Sequence, residues 1–235
     1  MNSSILYNFT IFIVALLIST LVAIFIMRML KLNENALGKI TAFATGNTLV
    51  LTIKELYVDT VQRCGYKVGT LYIIMGILII VLINYILHII NKGNKSFNSL
   101  ILILIAMVVH KIPEGIIIGI ELHLVSRQGL IIILILLLHS ILDVMTMAAP
   151  MIKNKFNNRR MAKYIVIITF SALIGVVLGL VITTEYVLGV GIGISCGIMF
   201  YISVVEMPRE TLELIGKKDA FIYGVIGVVI GLIII

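Results

Sequence analysis

Charge is what this sequence has least of. Only 12% of its 235 residues are Asp, Glu, Lys or Arg, while 61% are hydrophobic and mean hydropathy is +1.20. Soluble domains carry about 25% charged residues, so a soluble globular class is excluded and a polytopic membrane protein is implied. Cysteine is equally scarce. Cys64 and Cys196 form no Cys-x-x-Cys pattern and no disulfide framework. Cys64 reads as a loop residue and Cys196 as a small packed side chain within a span. Long polar connections are missing too, which leaves no soluble domain and no interdomain linker. No Lys or Arg precedes the first apolar stretch, 5–27, whereas Arg28 and Lys31 follow it. A cleavable signal has the opposite arrangement, so this stretch reads as a retained first span.

What the chain does have is apolar runs of about 20 residues, the length needed to cross a bilayer. Eight are expected, at about 5–29, 38–57, 69–90, 98–124, 128–151, 163–183, 186–207 and 219–235. The expected fold is an all-α integral membrane protein, an eight-span helical bundle in one transmembrane domain. With the amino terminus outside, thirteen Lys and Arg fall on the inner side: Arg28, Lys31, Lys39, Lys92, Lys95, Lys153, Lys155, Arg159, Arg160, Lys163, Arg209, Lys217 and Lys218. Four fall outside, Lys54, Arg63, Lys67 and Arg127. That bias places both termini extracytoplasmic. It also accounts for the net charge of +7 without nucleic acid as a partner. The basic cluster at 153–163 sets topology, and the polar turn at 91–99 holds no ligand-rich tract.

Glycines recur every four residues at 189, 193 and 197, at 175 and 179, and at 227 and 231. Inside apolar spans such repeats point to close helix packing rather than to a nucleotide-binding loop.

Against this background His110-Lys-Ile-Pro-Glu114-Gly115 stands out. Ionisable residues inside a span are costly and mark a pathway or a site. His110 and Glu114 are four apart and converge on one helix face, as do His139 and Asp143 in the next run. His110 and His139 each lie 12 residues from the inner end of their spans, roughly 18 Å deep at about 1.5 Å per residue. Two level imidazole–carboxylate pairs on antiparallel neighbours suit one divalent ion near the midplane. Such donors favour Zn, Fe, Mn, Ni or Co over Mg or Ca. The two carboxylates balance the dication and offset much of its desolvation. Met107, Met145 and Met147 read as core filling. Pro113 lies within the fourth helix and leaves the Val109 carbonyl without its helical donor. His88 and His123 read as interfacial, while Glu55, Asp59 and Glu121 sit at span ends or form an outer mouth. Glu206 either receives an exiting ion or pairs with Arg209 or a neighbouring lysine.

At these residues the chain resembles the ZIP (Zrt/Irt-like) family of divalent-metal transporters. His110-Lys-Ile-Pro-Glu114-Gly115 matches the fourth-span His-x-x-Pro-Glu-Gly signature, and His139 to Asp143 takes the place of the fifth-span His-x-x-x-Glu. Phe43-Ala-Thr-Gly46 with Glu55-Leu56 is similar to the second span. Gly197-Ile-Met-Phe-Tyr201 through Glu206-Met-Pro208 is similar to the seventh. The resemblance implies a metal path among spans two, four, five and seven, and uptake into the cytoplasm by alternating access, with one helix group moving as a unit. It implies no enzymatic step. Many members hold two metals, but the residues after the two histidines are here Lys111 and Ser140, and the sixth span lacks an acid some bacterial relatives carry. One metal is therefore expected, with Lys111 substituting for the second.

The expected ligands are His110, Glu114, His139 and Asp143, with Lys111, Ser140, Asn47 or Thr48, and Glu206 along the path or at the second site. No prosthetic group is expected. The cargo is a divalent cation, Zn²⁺ or else Fe²⁺, Mn²⁺ or Cd²⁺, the surroundings are the lipid bilayer of the cell membrane, and a homodimer is left open. The competing readings are a membrane-embedded metal-dependent hydrolase, which the missing His-Glu-x-x-His helix disfavours, and a transport-inactive metal sensor.

Overall fold

A computed structural model describes residues 10–14, 16–18, 20–22, 25, 34–91, 95–121, 147, 151, 152, 154–181 and 184–234. Helix dominates them, and no strand occurs among them. Helix α1 (Glu34–Leu51) runs through a π-helical segment (Thr52–Tyr57) into α2 (Val58–Cys64). Then come α3 (Tyr66–Ile90), α4 (Lys95–Glu121) and α5 (Asn158–Gly179). Helix α6 (Glu185–Tyr201) continues through a second π segment (Ile202–Glu206) into α7 (Met207–Leu214), and α8 is Lys217–Ile234. Among the described residues five continuous helices are long and apolar enough to cross a membrane: Glu34–Cys64, Tyr66–Ile90, Phe97–Gly119, Arg159–Gly179 and Tyr186–Leu214. Helix α8 is equally apolar beyond its first turn, which carries Lys217, Lys218 and Asp219.

Several helices outrun the limits expected from hydropathy. The second span extends to Cys64 rather than ending near 57, so Cys64 closes a helix and is not in a loop. The sixth starts at Asn158 and the seventh reaches Leu214. Hydropathy marks the oily stretch of a helix, whereas the backbone keeps its own hydrogen bonds into the polar zone beyond. What ends each helix is local chemistry. Gly65, at φ 76°, reverses the chain between α2 and α3 in a conformation that a side chain disfavours. Asn157 caps α5 by accepting from Arg160 N–H at 2.9 Å.

Glycine sets which helices pair. A methyl at Gly115 would lie 2.2 Å from the Ala172 carbonyl, and one at Gly179 the same distance from that of Ile116, so α4 and α5 touch backbone to backbone. Gly76 of α3 meets the Ile194 carbonyl of α6, with Gly197 beside it, and Gly46 of α1 meets that of Gly224 in α8. The glycine repeats thus close three seams, α4–α5, α3–α6 and α1–α8, which are also the most extensive helix contacts. Helix α3 is peripheral: 11% of its apolar window is buried, against 56–61% for the spans containing α1, α4 and α6. Leu71, Leu78, Leu82 and Ile89 point outward from it, as a lipid-facing wall requires. Leu102, Ile103, Ala106, Met107, Ile192 and Met199 fill the centre.

The two π segments interrupt the central spans that carry Glu55 and Glu206. Met207 N–H bonds to the Ile202 carbonyl, one residue farther back than in an α-helix. Pro208 follows at once, and its missing N–H would break an α-helical ladder at this point. Single π turns of this kind are frequent at functional sites.

Candidate metal path

Helix α4 carries the central group. His110 and Lys111 are buried, 5% and 4% exposed, in the middle of a 27-residue helix that stays continuous through Pro113. His110 Nε2 stands 3.8 Å from Glu114 Oε2, so the pair four residues apart does converge. The nearer partner of that oxygen is Lys111 Nζ, at 2.6 Å. Imidazole, ammonium and carboxylate thus meet around one oxygen, with side-chain exposures of 7%, 5% and 12%. Removing one partner of a buried ion pair costs about 3–5 kcal/mol, because a bare charge is left behind. Lys111 thus pairs with Glu114 beside an imidazole, the side-chain type most often found ligating metals.

Gly115, the last residue of the motif, acts through packing. Its bare Cα lets α5 approach and keeps the Ala172 carbonyl against α4. His139, Ser140 and Asp143 lie outside the described residues, as does all of the fifth span except Met147 and Met151 near its end. Asn47 is buried in α1, with its side-chain oxygen toward Gly231 of α8. Thr48 is buried beside it and accepts, through its carbonyl, from Thr52 Oγ1 at 2.8 Å.

A second polar cluster gathers where α4 begins. Glu206, 1% exposed, accepts from Ser99 Oγ of α4 and, at 3.4 Å, from Asn84 Nδ2 of α3. Asn84 also donates to Tyr201 at 2.9 Å, and Arg209 Nη1 lies 3.6 Å from Glu206 Oε2. A cavity of about 330 Å³ opens here, lined by Asn84, His88, Asn98, Ser99, Glu206 and Arg209. The ion pair with Arg209 expected from sequence is present, but it is one contact of several. Ser99 reads in the sequence as part of a polar turn, because its partner lies 107 residues away. Asn84 does leave a signal, an amide alone within a long apolar run.

Among the described residues no group of three or more His, Cys, Asp or Glu side chains gathers around one point. A metal held by His110 and Glu114 would need further ligands from another helix.

No curated protein matches the sequence. The model of the ZIP zinc transporter family matches residues 91–235, which contain α4 to α8, and takes in the His110 motif, Ser99, Glu206 and all the glycines of α5, α6 and α8. With well over half its length matched, and with a buried His–Lys–Glu group at the motif, this chain belongs to the ZIP zinc transporter family.

Proposed function

We propose that this chain carries one divalent cation at a time into the cytoplasm by alternating access, on a single site made by His110, Glu114, His139 and Asp143. Membership of a transporter family already makes it a multi-pass membrane protein for divalent metals and sets the hydrolase reading aside. The observation that carries the finer reading is the buried Lys111–Glu114–His110 group. Without an ion, Lys111 supplies the positive charge that Glu114 needs. An arriving dication takes over that role, and two imidazoles with two carboxylates suit Zn²⁺, Fe²⁺, Mn²⁺ or Cd²⁺. The placement of His139 and Asp143 rests on their spacing and depth in the sequence.

Lys111 and Ser140 stand where a second metal would find its ligands, which supports one ion per cycle. The excess of Lys and Arg on one side supports a cytoplasmic face at the end bearing Ser99 and Glu206, and so an inward path past Glu206. Zn²⁺ uptake into proteoliposomes tests the reading. His110→Ala and Glu114→Ala should each reduce it to the level of empty vesicles. Uptake at the wild-type rate in both variants contradicts the reading, and binding without uptake in the wild type assigns the chain as a sensor instead.

A further inference from the structure

Many hydroxyl groups in this bundle share one habit. Thr41, Thr45, Thr52, Thr60, Ser171 and Thr211 each donate to a carbonyl three or four residues back on their own helix. So does Ser203, at 3.1 Å from the Phe200 carbonyl in the same span as Ser195. Ser195 departs from it. It is fully buried, 0% exposed, and among the described residues its Oγ has no hydrogen-bond partner. A buried hydroxyl left unbonded is unfavourable, and this one declines even the carbonyl its neighbours use.

Its place in the bundle explains why. The Ser99–Glu206 hydrogen bond sets the register between α4 and the span containing α6 at one end. Helix α4 also packs along α6, and because that bond joins the start of α4 to the segment just past the end of α6, the two run antiparallel. Eleven residues on from Ser99 is His110, and eleven residues back from Glu206 is Ser195. Eleven residues make close to three helical turns and roughly 16 Å, so the two side chains are level and each keeps nearly the face of its anchor. The π segment at Ile202–Glu206 shifts the phase of the second helix by only part of a turn.

The rest of α6 fixes the direction. Gly197 is pressed against α3 and Gly193 against Tyr72 of α3 and Thr60 of α2, so Ser195, two residues from each, lies on the face turned away from both contacts. Cys196 Sγ donates to the Thr52 carbonyl at 3.6 Å, which turns the adjoining face to the first π segment. Ser195 is thus left on the buried side of α6 next to the face that meets the first π segment, at the height of His110.

Building on the single-ion reading above, we infer that the Ser195 hydroxyl contacts the divalent cation, or a water bound to it, from the seventh span. It adds a neutral oxygen from another helix beside the His110–Glu114 pair, without adding charge.

The test uses the full chain in proteoliposomes, with Zn²⁺ and Cd²⁺ as probes and Ser203→Ala as the control hydroxyl. Ser195→Ala should raise the KM for Zn²⁺ about tenfold, as loss of one supporting metal contact does, while the metal-free Tm stays at the wild-type value or rises. Ser195→Cys should move the preference toward the softer Cd²⁺ by about tenfold. Ser203→Ala should change neither. The inference is overturned if both Ser195 variants keep the wild-type KM and Zn²⁺/Cd²⁺ preference while His110→Ala abolishes uptake. It is equally overturned if Ser195→Ala lowers the Tm with KM unchanged, since that marks a packing role. Uptake that survives His110→Ala removes the single-ion reading itself.

Discussion

Lys111 shows how one side chain sets the terms for its neighbours. Its ammonium sits 2.6 Å from Glu114 in the middle of a membrane helix, where neither charge is stable alone. Lys111→Met should therefore lower the metal-free Tm, in keeping with the cost of a bare buried carboxylate, about 3–5 kcal/mol. Added Zn²⁺ should raise the Tm of that variant more than it raises that of the wild type, because the ion no longer competes with an ammonium. Differential scanning with and without Zn²⁺ reads both effects, and equal shifts in the two proteins would mean that Lys111 does not guard the site. Glu114→Gln should remove the Zn²⁺-dependent shift altogether. This group is legible in the sequence. Residues three and four apart on a helix must share a face, so the spacing of 110, 111 and 114 is enough. The Ser99–Glu206 bond is not legible there, because nothing local in either stretch names its partner across 107 residues. Ser195 is hidden for a related reason: only the bonds its neighbours make show that it lacks one.

At the scale of the helix, small residues decide. Gly115 and Gly175 each face the other helix's backbone, with a notional methyl 2.2 Å from a carbonyl oxygen. Backbone cannot swing aside as a side-chain tip can. Gly175→Ala should force α5 away from α4 and destabilise by about 1–3 kcal/mol, the usual cost of overpacking. Gly191→Ala, with open space where its methyl would go, should be neutral within about 0.5 kcal/mol. Thermal stability in detergent compares the two, and equal losses would remove the argument that the seams hold the bundle. The four-residue glycine period announces these seams, although not which helix each will face. Helix ends and π segments are less legible. Hydropathy stops where lipid stops, and a π turn such as Thr52–Tyr57 depends on the helix packed against it, here α6.

For the whole molecule, the seams divide the described helices into closely fused pairs. Helix α4 is fused to α5, while α3 is fused to α6 and α1 to α8. Between α4 and the span containing α6 the contacts are side chains, with the Ser99–Glu206 bond at one end and interlocked apolar groups above it. The alternating access proposed above would need some boundary to slide, and this one has no backbone interlock among the described residues. Bridging Ser99→Cys to Glu206→Cys with a short bifunctional thiol reagent should stop Zn²⁺ uptake, and a cleavable bridge should restore it on reduction. Undiminished uptake in fully bridged protein would show that the boundary does not move during transport.

The central claim concerns the ion's own surroundings, and X-ray absorption at the zinc edge reads them directly. Full-length protein loaded with one equivalent of Zn²⁺ should show nitrogen and oxygen neighbours near 2.0–2.1 Å, two of them imidazole, and no sulfur. His110→Ala and His139→Ala should each remove one imidazole from that shell. A shell containing sulfur, or one that neither substitution alters, would contradict the account.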